Sequence, residues 1–162
     1  MIMKIRDYVA ADWESVCRVH DAARPDELAG SCDPRAFVPL AKDPESEELL
    51  RSRIFVAEED GEVIGFAAVD DSYLSFLYVH PVHYRKGVGR ALLQKSIEAA
   101  TDNAELWTIV LSENVAAIAL YRSEGFEEVA RFDSKNEGYP VTCIRMARKS
   151  TCEPCGKSDA SG

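Results

Sequence analysis

No stretch of the 162-residue chain approaches the roughly 20 consecutive apolar residues that cross a bilayer. Its first residues, Met1-Ile2-Met3-Lys4-Ile5-Arg6-Asp7, carry no apolar signal core. Both absences lead to the expectation of a cytoplasmic protein with no membrane partner. Positive charge is scarce as well: 19 Lys and Arg stand against 28 Asp and Glu, a formal net charge of −9. A general nucleic-acid binder needs Lys and Arg clustered across a whole face to neutralise phosphates, so that class is excluded. A small anion needs only a local basic spot. Cysteine is limited to Cys17, Cys32, Cys143, Cys152 and Cys155. That odd number fits a reducing compartment, in a chain long enough to bury roughly 70% of its unfolded surface without staples. Cys152-Glu153-Pro154-Cys155 lacks the second ligand pair of a structural zinc, and His80 and His83, three apart, make no metal site. No metal is expected. Neither nucleotide fingerprint is complete: GxxxxGK[ST] is missing, and Leu92 stands where GxGxxG has its third small residue.

What is present is the composition of one soluble domain, 46% hydrophobic and 29% charged. A short strand begins around Ile2 and Ile5. Asp12 then reads as the N-cap of a helix with the apolar face Trp13, Val16, Cys17, His20 and Ala23. From Pro25 to Pro44 the periodicity is poor. Asp33-Pro34 and Asp43-Pro44 each read as a cap with proline at the first helical position, and a short helix is expected to end near Arg51. Two β-rich runs, Arg53 to Glu58 and Val63 to Val69, flank Asp60-Gly61, the strongest short hairpin signal there is. A third, Tyr73 to Val79, stops at His80-Pro81 because proline cannot donate to a ladder. After Gly89 the stripe Leu92, Leu93, Ser96, Ile97 and Ala100 predicts a helix. Leu106 to Leu111 reads as a buried strand, Val115 to Ser123 as a helix closed by Gly125, and Phe126 to Phe132 and Tyr139 to Met146 as the last strands. The domain is placed at 1–147. Residues 148–162 have no apolar face and read as a disordered tail.

The segment richest in chemistry is His80-Pro81-Val82-His83-Tyr84-Arg85-Lys86-Gly87-Val88-Gly89-Arg90-Ala91-Leu92-Leu93. A helix mouth preceded by glycines presents unpaired amides and about half a positive charge, which suits a diphosphate. Arg85, Lys86 and Arg90 add local positive charge. The same residues would equally make a tight turn with solvated basic side chains.

The order of three antiparallel strands, this turn and helix, a buried strand, a short helix and two final strands resembles the GNAT superfamily of acetyl-CoA-dependent N-acetyltransferases. The run LYVHPVHYRKGVGRALL is similar to that family's acyl-CoA diphosphate loop, and SENVAAIALYRSEGF to its second signature. Tyr84 departs from the loop pattern, which usually has Gln or Arg there. The resemblance implies an α/β fold with a mixed, mostly antiparallel sheet, splayed into a V near Val79 and flanked by helices. It implies that the amides of Arg85, Lys86, Gly87, Val88, Gly89 and Arg90 hold the diphosphate of acetyl-CoA, the cosubstrate. The backbone of Leu77, Tyr78 and Val79 would pair with the pantetheine arm, and the Val79 amide would polarise the thioester carbonyl. Asn114 would contact the cofactor, cap its helix, or both. Tyr121 takes the place of the general acid that protonates the departing thiolate, a role typically worth 10²–10⁴-fold in rate.

By the same resemblance the reaction is direct attack of a primary amine, of a small molecule or a peptide, in a ternary complex. A catalytically silent acyl-CoA-binding module and a nucleotide-binding protein remain as rivals. Cys143 has no His neighbour in sequence, which disfavours an acyl-cysteine route. The general base is not legible. Some relatives that acetylate protein N-termini carry a Glu where this chain has Ile109, the nearest acids in sequence are Glu113 and Asp71, and Tyr73, Ser75 and Tyr78 could line a water chain. A lysine-like amine costs about 4.6 kcal/mol to deprotonate at pH 7, an α-amine only about 1 kcal/mol. The acidic stretch Asp43, Glu45, Glu47, Glu48, Glu58, Glu59, Asp60 and Glu62 could attract a cation or simply be a solvated surface. The acceptor site is expected in the poorly patterned segment Pro25 to Leu50. Many relatives pair through their last strands, so a homodimer stays open.

Overall fold

The structure, a computed structural model, describes residues 2–100 and 105–149. Seven strands form one sheet in the order β1-β2-β3-β4-β5-β7-β6. They are β1 (Met3–Asp7), β2 (Arg53–Glu59), β3 (Glu62–Asp70), β4 (Tyr73–Val79), β5 (Leu106–Leu111), β6 (Glu127–Asn136) and β7 (Tyr139–Arg148). All neighbours are antiparallel except β4 and β5. The helices are α1 (Trp13–Leu28), α2 (Glu45–Arg51), α3 (Val88–Ala99) and α4 (Val115–Ser123).

Three two-residue hairpin loops set the register, at Asp60-Gly61, Asp71-Ser72 and Glu137-Gly138. Asp60 and Gly61 have φ of 54° and 82°, and Glu137 and Gly138 have 53° and 84°, the paired positive values of a type I′ turn, whose twist matches that of the strands it joins. The apolar runs of β2 and β3 have no polar face because both faces of the sheet are covered. Phe55, Ala57, Ala67 and Val69 pack with Leu92 and Leu93 of α3, while Ile54, Val56, Phe66 and Ala68 pack with Val16 and Val19 of α1. Alternation by two feeds two cores from one strand. The close seating of α3 explains a glycine in mid-strand: a Cβ at Gly65 would lie 3.0 Å from the Tyr78 carbonyl oxygen and 3.1 Å from Leu92.

Four expectations need correction. Asp12 makes no N-cap bond. Its carboxylate instead takes two bonds from Arg6, at 2.8 and 3.0 Å, and one from the Val9 amide at 2.9 Å, a charged donor winning over a helix amide. Helix α1 does not stop before Pro25 but continues to Leu28. Proline costs one backbone bond and a clash with the carbonyl four residues back, offset here by burial of Leu28 against Ala36, Leu111 and Val141 and by the Arg24–Glu27 ion pair. Strand β6 runs four residues past Phe132, because β7 pairs with it as far as Asn136↔Tyr139. Arg148 belongs to β7 and not to a tail, its guanidinium donating to the Glu124 carbonyl at 2.8 Å. Cys152, Cys155 and the rest of the expected tail from residue 150 onward lie outside the described residues.

Candidate active site

The two strands at the centre of the sheet part almost at once. β4 and β5 are in register only at Tyr73↔Trp107. The Trp107 amide donates to the Ser72 carbonyl and the Thr108 hydroxyl to the Leu74 carbonyl, each at 2.8 Å. Beyond Leu74 the edge of β4 has no partner strand. The His80 amide donates to the Ile64 carbonyl of β3 at 2.8 Å. Because strand amides alternate in direction, those of Val79 and Leu77 point the other way, into the opening. The splay therefore starts near Leu74 and is already wide at Val79.

The loop after β4 delivers the chain to α3. Ala91 is the first amide of that helix with a backbone partner, the Gly87 carbonyl at 3.0 Å, which leaves the amides before it free. Gly87 sits in the left-handed region at φ 82°, where a Cβ is penalised. Among the described residues, four that are not glycine have positive φ. Three open two-residue hairpins, where the turn demands it. The fourth, Arg85 at φ 67°, is held in that conformation inside the loop, the kind of local strain that gathers at ligand-holding sites. Alternating backbone hands turn successive amides into a concavity suited to an anion.

The basic spot is smaller than the sequence suggests. The Arg90 guanidinium is turned away to Glu124 and Ser123 at the end of α4, and the Lys86 ammonium lies 3.3 Å from a ring nitrogen of His83. Tyr84 is half-exposed. Burial, then the negative charges of Asp26 and Glu27, push its phenol up to about 12, tying this departure from the loop pattern to the end of α1.

Tyr121 is 6% exposed, its ring 5.3 Å from that of Phe126. Burial, followed by the charge of Glu27, holds its phenol far above the usual tyrosine range, with the Thr108 hydroxyl as its polar neighbour. A phenol so placed keeps its proton until a stronger base appears beside it. Asn114 caps α4, accepting from the Ala117 amide at 3.3 Å.

Between α1, β4 and β5 lies a cavity of about 180 Å³, lined by Arg24, Glu27, Tyr73, Ser75, Tyr78 and Ile109, and also by Asp43, Glu45 and Glu137. Four carboxylates thus face one guanidinium. Tyr78 donates to Oε1 of Glu27 at 2.6 Å, and Arg24 donates to the same oxygen. Burial and then the charge of Glu27 raise the Tyr78 phenol well above its ordinary value, while burial raises the Glu45 carboxyl. The three residues suggested for a water chain, Tyr73, Ser75 and Tyr78, do come together here. Glu113 and Asp71 do not: both are exposed and outside the cavity wall. Sequence reading missed Arg24 and Glu27, since Pro25 hid the last turn of α1. The overlooked signal is spacing, because Glu27 follows His20 and Ala23 by seven and four positions and so lies on the helix's buried stripe.

The profile of the Acetyltransferase (GNAT) domain matches residues 51–128. This stretch, just under half of the chain, is similar to the GNAT acetyltransferases. The chain is 36% identical over 98 residues to the L-methionine sulfoximine/L-methionine sulfone acetyltransferase of Salmonella typhimurium, covering 54% of this chain and 57% of that one. It is also 36% identical over 94 residues to the [ribosomal protein bS18]-alanine N-acetyltransferase of Escherichia coli, covering 54% and 62%. The chain thus spans about three fifths of the length of these relatives. The structure of yncA from Salmonella typhimurium, described as an acetyltransferase with its cofactor acetyl-CoA, superposes with a TM-score of 0.71 at 24% identity, covering 100% of this chain and 99% of that one.

Proposed function

We propose that this chain is an acetyl-CoA-dependent N-acetyltransferase that passes the acetyl group directly to a primary amine, of a small molecule or a peptide, in a ternary complex. The observation that carries this reading is the pairing of an open strand edge, with the Val79 amide free, and a helix mouth whose amides at residues 85–90 lack backbone partners. The loop amides of Arg85, Lys86, Gly87, Val88, Gly89 and Arg90 take the diphosphate, and the positive end of α3 adds to their pull. Leu77, Tyr78 and Val79 take the pantetheine arm as an added strand. The Val79 amide then points at the thioester oxygen and stabilises the charge that develops there.

Asn114, with its carbonyl engaged as the cap, keeps its side-chain NH2 for the cofactor. Tyr121 hands its proton to the departing sulfur. The excess of carboxylates around the cavity favours a cationic acceptor and raises the acceptor's own pKa, which places a demand on the site for a proton acceptor.

The chain works in the cytoplasm, in keeping with its free cysteines Cys17, Cys32 and Cys143, and β6, an edge strand exposed along its length, offers a surface for a homodimer. The direct test is thiol release from acetyl-CoA over polyamines, amino acids, aminoglycosides and N-terminal peptides. Turnover with at least one amine is expected. Binding of acetyl-CoA without thiol release across the panel would select the silent acyl-CoA module instead.

A further inference from the structure

Resting on that reading, we propose that Glu27 is the general base: its Oε2 takes a proton from the acceptor ammonium while Tyr78 and Arg24 hold Oε1. The carboxylate stands on the last turn of α1, lines the cavity, and its side chain is only 23% exposed. Both bonds it accepts, from Tyr78 and from Arg24, go to Oε1, and Oε2 has no partner among the described residues. One oxygen fixes the orientation and the other is left to work. Glu27 lies in that cavity with Tyr73, Ser75 and Tyr78 of β4, the strand whose open edge continues to Val79. Among the described residues, the other carboxylates of the cavity, Asp43, Glu45 and Glu137, accept no such pair of bonds, and β5 carries Ile109 in place of an acid.

The protons balance. The ammonium gives one proton to Glu27, and the freed nitrogen attacks the thioester carbon to form the C–N bond. As the C–S bond breaks, the sulfur leaves with the Tyr121 proton as the thiol of coenzyme A. The nitrogen's second proton restores Tyr121, and the proton on Glu27 passes to solvent. The products are an amide, a thiol and one proton.

The experiment compares Glu27→Gln with wild type, using the amine that the thiol-release panel identifies. If wild type releases no thiol with any amine, the acetyltransferase reading itself fails, independently of Glu27. Glu27→Gln keeps the side chain's size and an oxygen for Tyr78. Its kcat/KM is expected to fall about 100-fold or more, with the affinity for coenzyme A unchanged. The acidic limb of the wild-type kcat/KM profile should flatten. That profile also carries the groups facing Glu27: Arg24 and Asp26 on α1, Tyr78 on β4, Tyr84 in the loop, Tyr121 on α4, and Asp43, Glu45 and Glu137 around the cavity.

A readout that a merely structural role would not move is the acceptor's basicity. With an amine already neutral at the assay pH, the loss in Glu27→Gln should shrink to less than about tenfold, because no base is then needed. Activity within threefold of wild type, or an equal loss for weakly and strongly basic amines, overturns the assignment. Should the glutamine variant unfold, Glu27→Leu, of similar volume and without a base, decides on the same two comparisons.

Discussion

Tyr121 and Arg85 carry opposite kinds of information about the site. Tyr121 is almost wholly buried, its phenol held protonated by its surroundings. Tyr121→Phe should therefore leave coenzyme A binding intact, as read by calorimetry, and lower turnover by about 10²–10⁴-fold in the thiol-release assay. Unchanged turnover would remove it from the reaction. Arg85 is exposed and its backbone is strained, so what the structure records of it is the shape of the loop rather than a side-chain contact. At this scale the sequence was partly readable. Asn114, read as a cap, does cap α4, while Tyr121, read as the acid from its motif, is buried beside Phe126. Glu27 and Arg24 were overlooked, because a proline inside a helix looks, in one dimension, like the helix's end.

At the scale of elements the tightest joint is that between α3 and β3. Gly65→Ala would push a methyl to 3.0 Å from the Tyr78 carbonyl oxygen, and such overpacking costs about 1–3 kcal/mol. A urea titration should show the midpoint falling by that amount, with coenzyme A affinity reduced as well, since α3 supplies the loop's helix mouth. Strands β2 to β5 and helices α3 and α4 were legible because their signals are local: hairpin residues, a period of two or of 3.6, a glycine after the last turn. Two features were not. The end of β6 depends on pairing with β7, which no single segment records, and the role of Asp12 depends on Arg6 reaching it from the neighbouring strand. The point at which β4 and β5 separate is likewise a property of two strands together.

For the whole molecule, titration sets the limits of stability. Arg6, by hydrogen bonds to its carboxylate, holds Asp12 below the usual carboxylate range. A lowered acid stabilises the fold fully above the unfolded-state value and loses that contribution as pH falls through its own lowered one. Asp12→Asn should therefore destabilise at neutral pH and flatten the acid side of the stability curve, measured as urea midpoints from pH 7 down to about 3. At the other end, Tyr8, Tyr73, Tyr78, Tyr84 and Tyr121 are all raised, burial being the first cause in each. Raised phenols stabilise below about pH 10 and lose that contribution as pH climbs through their higher values. Stability should fall above about pH 10, and a flat curve there would contradict the burial of these rings.

The account turns on the free amides around Gly87 gripping a diphosphate, and calorimetric titration with coenzyme A addresses that claim directly. Binding of one molecule per chain is expected, with pantetheine, which lacks the diphosphate, binding far more weakly. Gly87→Ala forces a side chain into the left-handed region at a cost of about 1–2 kcal/mol, a loss of about 5- to 30-fold in affinity. No heat with coenzyme A, or pantetheine binding as tightly as the whole cofactor, would contradict it.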